Sequence, residues 1–168
     1  MNASTRAAVL IPICSVAGEP HLVFIRRSDD APVHGGDIAF PGGQYHRERD
    51  DSLLATALRE AEEEIGLRAA DVQVVRVLPE IRTLTSNFLI TPFVGRVAGG
   101  YRFNPDPREV AAVLTIPVAR LNSPAAHRVV RRRLSSGTEV EVPAYVVGDA
   151  VIWGATYRIT AELLRAMP

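Results

Sequence analysis

The 168-residue chain is organised around the segment Arg59-Glu60-Ala61-Glu62-Glu63-Glu64-Ile65-Gly66-Leu67, which closes its clearest predicted helix, about Ser52 to Ile65. Apolar side chains recur along this helix at the spacing that builds one buried stripe: Leu53, Leu54, Ala57, Leu58, Ala61 and Ile65. The Asp-Asp-Ser sequence of residues 50–52 can cap the start of the helix, and Gly66 can end it. We therefore predict an amphipathic helix with an apolar face and an acidic face.

The acidic face brings three carboxylates together. Glu60 precedes Glu63 and Glu64 by three and four residues, so their side chains share one side of the helix, whereas Glu62 points away. Like charges at this spacing weaken a helix, and the negative C-terminal end of the helix dipole adds to the cost. A hard divalent cation such as Mg²⁺ or Mn²⁺ prefers oxygen ligands and would reverse that penalty. A solvated acidic face is the plain alternative, but the adjoining apolar stripe and Arg59 favour a metal site.

Two glycines precede the helix in the segment Phe40-Pro41-Gly42-Gly43. We predict a turn here that ends a short strand at 38–40. Because glycine lacks a Cβ, this backbone can approach a ligand or a metal closely, with a carbonyl oxygen free to coordinate it.

Composition narrows the class of protein. All 19 basic residues are Arg, which excludes a Schiff base, a pyridoxal phosphate site and a Walker-A loop, since each needs a lysine. The 19 acidic residues balance them, so no global field draws the chain to nucleic acid or an anionic membrane. The single cysteine, Cys14, lies in an apolar run, which predicts an inert core thiol and a reducing compartment. Without a secretory leader or a membrane-length apolar run, we expect a soluble cytoplasmic protein.

The rest of the chain predicts strands and one more helix. Strands are expected at 7–16, 21–26, 72–78, 88–97, 111–116, 129–134 and 139–142. The first two form a hairpin around Ala17-Gly18-Glu19-Pro20, the last two form a hairpin around Ser135-Ser136-Gly137, and a closing helix spans 156–167. This pattern predicts an α/β fold with a mostly mixed or antiparallel sheet, and the length suits a single domain, 1–168.

The acidic helix and the glycines before it resemble the Nudix box, the signature of Nudix hydrolases. The match is complete over the second half of the box, residues 59–67. The family pattern has a Glu six positions after its glycine, where this chain has Arg49 between Glu48 and Asp50, and the loop 44–51 is longer than usual. The resemblance implies a Nudix-type α/β/α sandwich with a mixed central sheet and hydrolysis of a nucleoside diphosphate linked to another moiety.

The likeness extends to the coenzyme A pyrophosphatase branch of that family. The segments that carry it are Arg27-Ser28, His34, Gly36, Phe40-Pro41-Gly42-Gly43, Thr91-Pro92-Phe93-Val94-Gly95 and Val151-Ile152-Trp153-Gly154-Ala155-Thr156. Pro32 stands where the branch has an Arg, and Ile25 where it often has Thr. Because a guanidinium is a natural clamp for phosphate, the absence of that Arg keeps other substrates open.

The resemblance implies that the helix binds the catalytic metal, Mg²⁺ or Mn²⁺. We expect Glu60 and Glu64 to be the main ligands, while Glu63 binds a further ion or accepts the proton from water. A carbonyl of Gly42 or Gly43 completes the ligand shell. Which Glu is the general base stays open, because members of the family differ.

The resemblance also implies roles for residues beyond these ligands. Arg59 is expected to orient a carboxylate through a charge-assisted hydrogen bond. Glu109 is the candidate for a distal catalytic acid, with an ordinary surface position at a strand end as the alternative. Arg27, His34 and Gly43 are the candidate substrate-binding residues, although an Arg and a His in loops also serve as plain surface groups.

The leading hypothesis is a metal-dependent pyrophosphatase that cleaves coenzyme A or its thioesters to 3′,5′-ADP and (acyl-)4′-phosphopantetheine. The first alternative has the same catalytic residues and metal site but cleaves ADP-ribose, a nucleotide sugar, NADH or a nucleoside triphosphate. The second is a nucleotide-binding module without turnover. Arg128 and Arg131–Arg133 either receive the 3′-phosphate of coenzyme A or form a solvated strand edge. We expect a small-molecule nucleotide substrate, no nucleic acid or membrane partner, and a monomer or homodimer.

Overall fold

The computed structural model describes residues 4–31 and 34–168, so Pro32 lies outside the described residues. Within these ranges the chain forms eleven strands and three α-helices. The strands are β1 (Thr5–Val16), β2 (Glu19–Arg27), β3 (Ile38–Ala39), β4 (Gly42–Gln44), β5 (Gln73–Val77), β6 (Ile81–Arg82), β7 (Phe88–Arg96), β8 (Val110–Pro117), β9 (His127–Arg133), β10 (Glu139–Val147) and β11 (Ala150–Ile152). The helices are α1 (Leu53–Ile65), α2 (Val118–Asn122) and α3 (Gly154–Ala166).

The central sheet is mixed, which confirms the predicted fold class. Its main path runs β3-β2-β1-β7-β5, and β4, β6 and β8 pair with β1, β7 and β2 respectively. The pairing of β1 with β7 is parallel, whereas the other pairs are antiparallel. A smaller antiparallel sheet has the order β11-β10-β9.

The strands β1 and β2 separate partway along their length, and the segment 38–44 lies between them. Residues Ile13 to Val16 of β1 pair with β2, but Ala7 to Val9 pair with β4. In turn, the end of β2 takes β3 as a partner through Ile25 and Arg26. This insertion places the two predicted glycines inside the sheet, directly beneath α1.

Two apolar cores lie on opposite faces of the central sheet. Alternate residues of β2 point to opposite sides, so Val23 and Ile25 face one core while Leu22 and Phe24 face the other. The first core includes Ala57, Ala61 and Ile65 of α1, and the second includes Phe40, Ile152, Ile159 and Leu163 from the side of α3 and the smaller sheet. Helix, sheet and helix therefore form the predicted three-layer arrangement.

The caps of α1 lie close to their predicted positions. The Ser52 hydroxyl oxygen accepts a hydrogen bond from the Ala55 N–H at 3.1 Å, which satisfies an otherwise unpaired donor of the first turn. Gly66 ends the helix with a φ of 66°, and its N–H donates to the Glu62 carbonyl at 2.9 Å. A left-handed residue at this place favours glycine, because a side chain would crowd the following carbonyl.

The predicted turn at Gly42-Gly43 was wrong, because both residues belong to strand β4. A Cβ on Gly42 would lie 2.3 Å from the Ala8 carbonyl oxygen, so the glycine serves close strand packing. Strands β6 and β11 and helix α2 were also missed, since elements of two to five residues show no periodicity. Across the described ranges, no helix combines the length and apolarity that crossing a membrane requires.

Candidate active site

Helix α1 presents the three carboxylates on one side, but at different depths. Glu64 is buried, with 3% of its surface exposed. The side chain of Glu60 is 15% exposed, and that of Glu63 is 42% exposed. The acidic face therefore runs from the protein interior at Glu64 to solvent at Glu63.

Strand β4 meets this face with its two glycines. The Gly42 N–H donates to the Glu64 Oε2 atom at 3.0 Å. A Cβ on Gly43 would lie 2.6 Å from the Glu60 carboxyl carbon, so only a glycine lets this carboxylate rest against the strand. Because N–H and C=O of one residue point to the same side of a strand, the Gly42 carbonyl faces away from β1 and is not used in that ladder.

The surroundings of Glu64 change its acidity. The pKa of the Glu64 carboxyl is raised to about 8, chiefly by burial and to a smaller extent by the negative charges of Glu60 and Glu109. The positive charge of Arg27 and the hydrogen bond from the Gly42 N–H act in the opposite direction. Glu109 and Arg27, which the sequence suggested separately, thus both influence the buried carboxylate.

The loop before β8 brings Glu109 to this place by closing the end of α1. The Asn104 and Asp106 N–H groups donate to the carbonyls of Ile65 and Glu64, each at 2.9 Å. These bonds satisfy carbonyls that a helix end leaves unpaired. The Glu109 carbonyl then accepts from the Ser28 N–H at 2.9 Å, which ties the loop to the end of β2 beside Arg27.

Arg59 is held by an aspartate that the sequence left undecided. Its Nε and Nη2 atoms donate to the Asp50 Oδ1 and Oδ2 atoms at 2.7 and 3.0 Å. Asp50, 4% exposed, also accepts from the Thr56 hydroxyl at 2.9 Å and the His46 N–H at 3.1 Å. Hydrogen bonding to Arg59 holds the pKa of the Asp50 carboxyl well below its usual range and raises that of the guanidinium. Of the two acids that flank Arg49, Asp50 is therefore the partner of Arg59.

The remaining guanidinium nitrogen of Arg59 orients two carboxylates. Its Nη1 atom donates to the Glu60 Oε1 atom at 2.7 Å and to the Glu63 Oε2 atom at 3.1 Å. The second Glu63 oxygen, Oε1, accepts from the Arg49 Nη2 atom at 2.9 Å. Arg59 thus links the buried Asp50 to the outer part of the acidic face, in the geometry of charge-assisted hydrogen bonds.

His34 lies in the loop before β3 and takes a left-handed φ of 58°. Its Nδ1 atom lies 3.2 Å from the Asp37 Oδ2 atom, and the Trp153 Nε1 donates to the Asp37 Oδ1 atom at 3.3 Å. The Asp37 carbonyl accepts from the Arg27 N–H at 2.9 Å. Among the described residues, His34 makes no hydrogen bond or ion pair with the three carboxylates of α1, so its connection to the site runs through Asp37.

The arginine run on β9 divides between the two sides of that strand. Arg131 and Arg133 pair with Glu141 and Glu139 of β10 at 3.8 and 3.2 Å. Arg132 points to the other side, where its guanidinium carbon lies 5.7 Å from the centre of the Trp153 ring. The cross-strand pairs are exposed and agree with a solvated strand edge.

The donor set around Glu64 fits a hard divalent cation. A buried carboxylate whose pKa is raised, as that of Glu64 is, gains most from a cation that keeps it ionised, and the Gly42 carbonyl supplies a further oxygen. Within residues 4–31 and 34–168, no three acidic, histidine or cysteine side chains already converge on one point. Arg59 and Arg49 hold Glu60 and Glu63 instead, so these carboxylates must turn inward to share an ion.

Comparisons with known proteins agree with the sequence motif. Residues 4–136 match the family model described as NUDIX domain. The uncharacterized Nudix hydrolase NudL of Photorhabdus laumondii is 36% identical over 159 residues, which cover 94% of this chain and 82% of that protein. The protein of that name from Pectobacterium atrosepticum is 44% identical over 114 residues, which cover 67% of this chain and 57% of that protein.

Solved structures show the same fold. A MutT/nudix family protein from Enterococcus faecalis superposes with a TM-score of 0.64 at 15% sequence identity, over 99% of this chain and 63% of that one. The predicted resemblance is thus confirmed at the level of the family by sequence and at the level of the fold by structure. Since the family model covers most of the chain and the P. laumondii relative is similar over nearly all of it, this chain belongs to the Nudix hydrolase family.

Proposed function

We propose that this protein cleaves the diphosphate of coenzyme A or its thioesters, releasing 3′,5′-ADP and (acyl-)4′-phosphopantetheine. The observation that carries the reaction is the buried Glu64 of the acidic helix, which accepts a hydrogen bond from the Gly42 N–H and whose pKa is shifted by the charges of Arg27 and Glu109. The observation that favours this substrate is the likeness of several segments to the coenzyme A branch, from Arg27-Ser28 to Val151–Thr156.

Glu60, Glu64 and the Gly42 carbonyl are the proposed main ligands of Mg²⁺ or Mn²⁺, and Glu63 is proposed either to bind a further ion or to act as a base. When bound, such a cation neutralises charge on the diphosphate and lowers the pKa of a water molecule. The burial of Glu64 prepares a site from which bulk water is largely excluded, where opposite charges attract strongly. Arg59 keeps Glu60 and Glu63 oriented from the side that faces Asp50.

Hydrolysis also requires a base that takes a proton from the attacking water. Glu63 and Glu109 are the two carboxylates proposed for this step, one at each end of the site. The positive charge of Arg27 lowers the pKa of Glu64, which supports the proposal that its guanidinium binds a phosphate oxygen beside the metal ligands. His34 and Gly43 are the further proposed substrate contacts.

A second candidate substrate is another nucleoside diphosphate derivative, such as ADP-ribose, a nucleotide sugar, NADH or a nucleoside triphosphate. The observation that favours it is Pro32, which stands where the coenzyme A branch has an Arg. Without that guanidinium, the site has one fewer clamp for a phosphate of coenzyme A. We further propose that residues 1–168 act as a single domain in the cytoplasm, as a monomer or homodimer.

Product analysis tests the proposal. The purified protein is incubated with coenzyme A and Mn²⁺ or Mg²⁺, with ADP-ribose, NADH and a nucleoside triphosphate in parallel, and products are separated by liquid chromatography. We expect 3′,5′-ADP from coenzyme A, and its loss on adding a chelator. Cleavage of another substrate without turnover of coenzyme A would assign the second candidate instead. The absence of turnover on every substrate would favour a nucleotide-binding module.

A further inference from the structure

Glu63 is held by two guanidinium groups of different character. Its Oε2 atom accepts from the Arg59 Nη1 at 3.1 Å, and its Oε1 atom accepts from the Arg49 Nη2 at 2.9 Å. Both carboxylate oxygens are therefore already used by protein cations, although Glu63 stands among the proposed metal ligands and bases.

Arg59 cannot leave this arrangement easily, because two of its nitrogens bind the buried Asp50. The Arg59 side chain is only 18% exposed, and removing one partner of such a pair leaves an uncompensated charge inside the protein. Arg49 differs, because its side chain is 55% exposed and, among the described residues, that side chain makes its one hydrogen bond to Glu63. Of the two cations on Glu63, Arg49 is the one that can exchange.

The backbone of Arg49 is nevertheless held firmly by the turn in which it lies. The Arg49 and Asp50 N–H groups both donate to the His46 carbonyl, at 2.9 and 2.8 Å, and the Asp50 carboxylate accepts from the His46 N–H. The turn 46–50 is thus closed at both ends and anchored by a buried residue. A fixed backbone with a mobile, charged side chain keeps the guanidinium within a few ångströms of the acidic face.

We propose that Arg49 is an exchangeable counterion of Glu63, which competes with the divalent cation and then binds the diphosphate of the substrate. When a cation takes the Glu63 carboxylate, the hydrogen bond from Arg49 is lost. The released guanidinium then lies beside a metal-bound diphosphate, whose oxygens it can bind in two-pronged fashion. This inference rests on the proposed function for its substrate class, and not for the competition at Glu63.

The competition predicts opposite effects of one substitution on two ligands. Removing an exposed ion pair should tighten the binding of Mn²⁺ alone by about two- to five-fold in the Arg49→Ala variant. The same variant should bind methylenediphosphonate, a diphosphate mimic that is not hydrolysed, about ten-fold more weakly in the presence of saturating Mn²⁺. With a cleaved substrate, KM should rise while kcat changes little, since Arg49 contributes to binding.

The experiment is a calorimetric titration of wild type, Arg49→Ala and Arg47→Ala with Mn²⁺, followed by methylenediphosphonate. Arg47 lies in the same turn and is exposed, and among the described residues the hydrogen bonds and ion pairs of Glu63 go to Arg49 and Arg59, so the Arg47 variant controls for net charge. Both substitutions are on the surface, and matched thermal unfolding verifies that each variant folds.

Tighter Mn²⁺ binding together with weaker diphosphonate binding, in Arg49→Ala alone, would support the exchange. Unchanged or weaker Mn²⁺ binding, unchanged diphosphonate binding, or equal effects of Arg47→Ala would each overturn it. Neither titration depends on coenzyme A being the substrate. A failure of the proposed substrate therefore appears only in product analysis, and a failure of the exchange only in the titrations.

Discussion

Glu63 and Glu64 are neighbours on α1, yet they lie in contrasting surroundings. Glu64, at the inner end of the acidic face, is buried, accepts a hydrogen bond from a backbone N–H, and has a pKa raised to about 8. Glu63, at the outer end, is 42% exposed and is paired with two arginines. At the inner end, burial and neighbouring acids outweigh the positive charge of Arg27, so this end gains from a cation, whereas the outer end already holds two paired arginines.

One acidic helix face therefore contains two kinds of carboxylate. The inner one depends on burial under β4 and on the loop that brings Glu109, and the outer one depends on the arginines that Asp50 and the turn 46–50 hold in place. Substitution of Glu64 should therefore act mainly on cation binding, and substitution of Asp50 mainly on local stability and orientation.

A substitution at the inner end of the acidic face should have the largest effect on turnover. Glu64→Gln keeps the shape of the side chain but removes the charge that a cation needs, so turnover should fall by about 10³-fold. Steady-state rates on the substrate found by product analysis measure this loss. Glu62→Gln is the matched control, because Glu62 is exposed on the opposite side of the same turn. Equal rates for wild type and Glu64→Gln would remove Glu64 from the metal site.

A substitution that breaks the ion pair behind the outer end of the acidic face should mainly lower the free energy of unfolding. Asp50→Ala leaves the partly buried guanidinium of Arg59 without its main partner, so the free energy of unfolding should fall by about 3 kcal/mol. Urea denaturation measures the change. Asp51→Ala, at the exposed next residue, should stay within about 0.5 kcal/mol of wild type. If the two variants were equally stable, the Asp50–Arg59 pair would not be the anchor of this end.

The raised pKa of Glu64 predicts a pH dependence of the metal-free protein. The unfolded chain releases the Glu64 proton near pH 4.5, whereas the folded chain keeps it to about pH 8. Between these values the folded state binds more protons, so the Glu64 contribution to stability falls as pH rises, by about 5 kcal/mol in all. Urea denaturation in the presence of a chelator measures this contribution when wild type is compared with Glu64→Gln from pH 4.5 to 8. A difference between the two proteins that does not change with pH would contradict the raised pKa.

Substitution of the two glycines of β4 tests the same comparison and should have the smallest effects. Gly43→Ala presses a methyl group against the Glu60 carboxylate, which can swing aside, so the fold should persist while the Mn²⁺ dissociation constant rises about ten-fold. Gly42→Ala meets the Ala8 backbone instead and should destabilise the sheet. Calorimetric titration and thermal unfolding distinguish these outcomes. Unchanged Mn²⁺ binding in Gly43→Ala would show that Glu60 does not need contact with the strand.

Much of the fold was predictable because local sequence patterns indicate it. The apolar stripe of α1, its cap at Ser52 and its end at Gly66 all follow from side chains within a few turns of one another. The long strands at 5–16, 19–27 and 88–96 also extend close to their predicted bounds. The pairing of β4 with β1 was not predictable, because a three-residue strand with two glycines has no pattern of its own.

The candidate site divides in the same way. Helical spacing alone places Glu60, Glu63 and Glu64 on one helix face beside Arg59, so this part of the site could be predicted from the chain. The folded structure was needed to establish that Glu64 is buried while Glu63 faces solvent, that Asp50 rather than Glu48 anchors Arg59, and that the charges of Arg27 and Glu109 act on Glu64. These facts depend on contacts between segments far apart in the chain, and solvation and charge at a carboxylate follow from such contacts and not from its sequence neighbours.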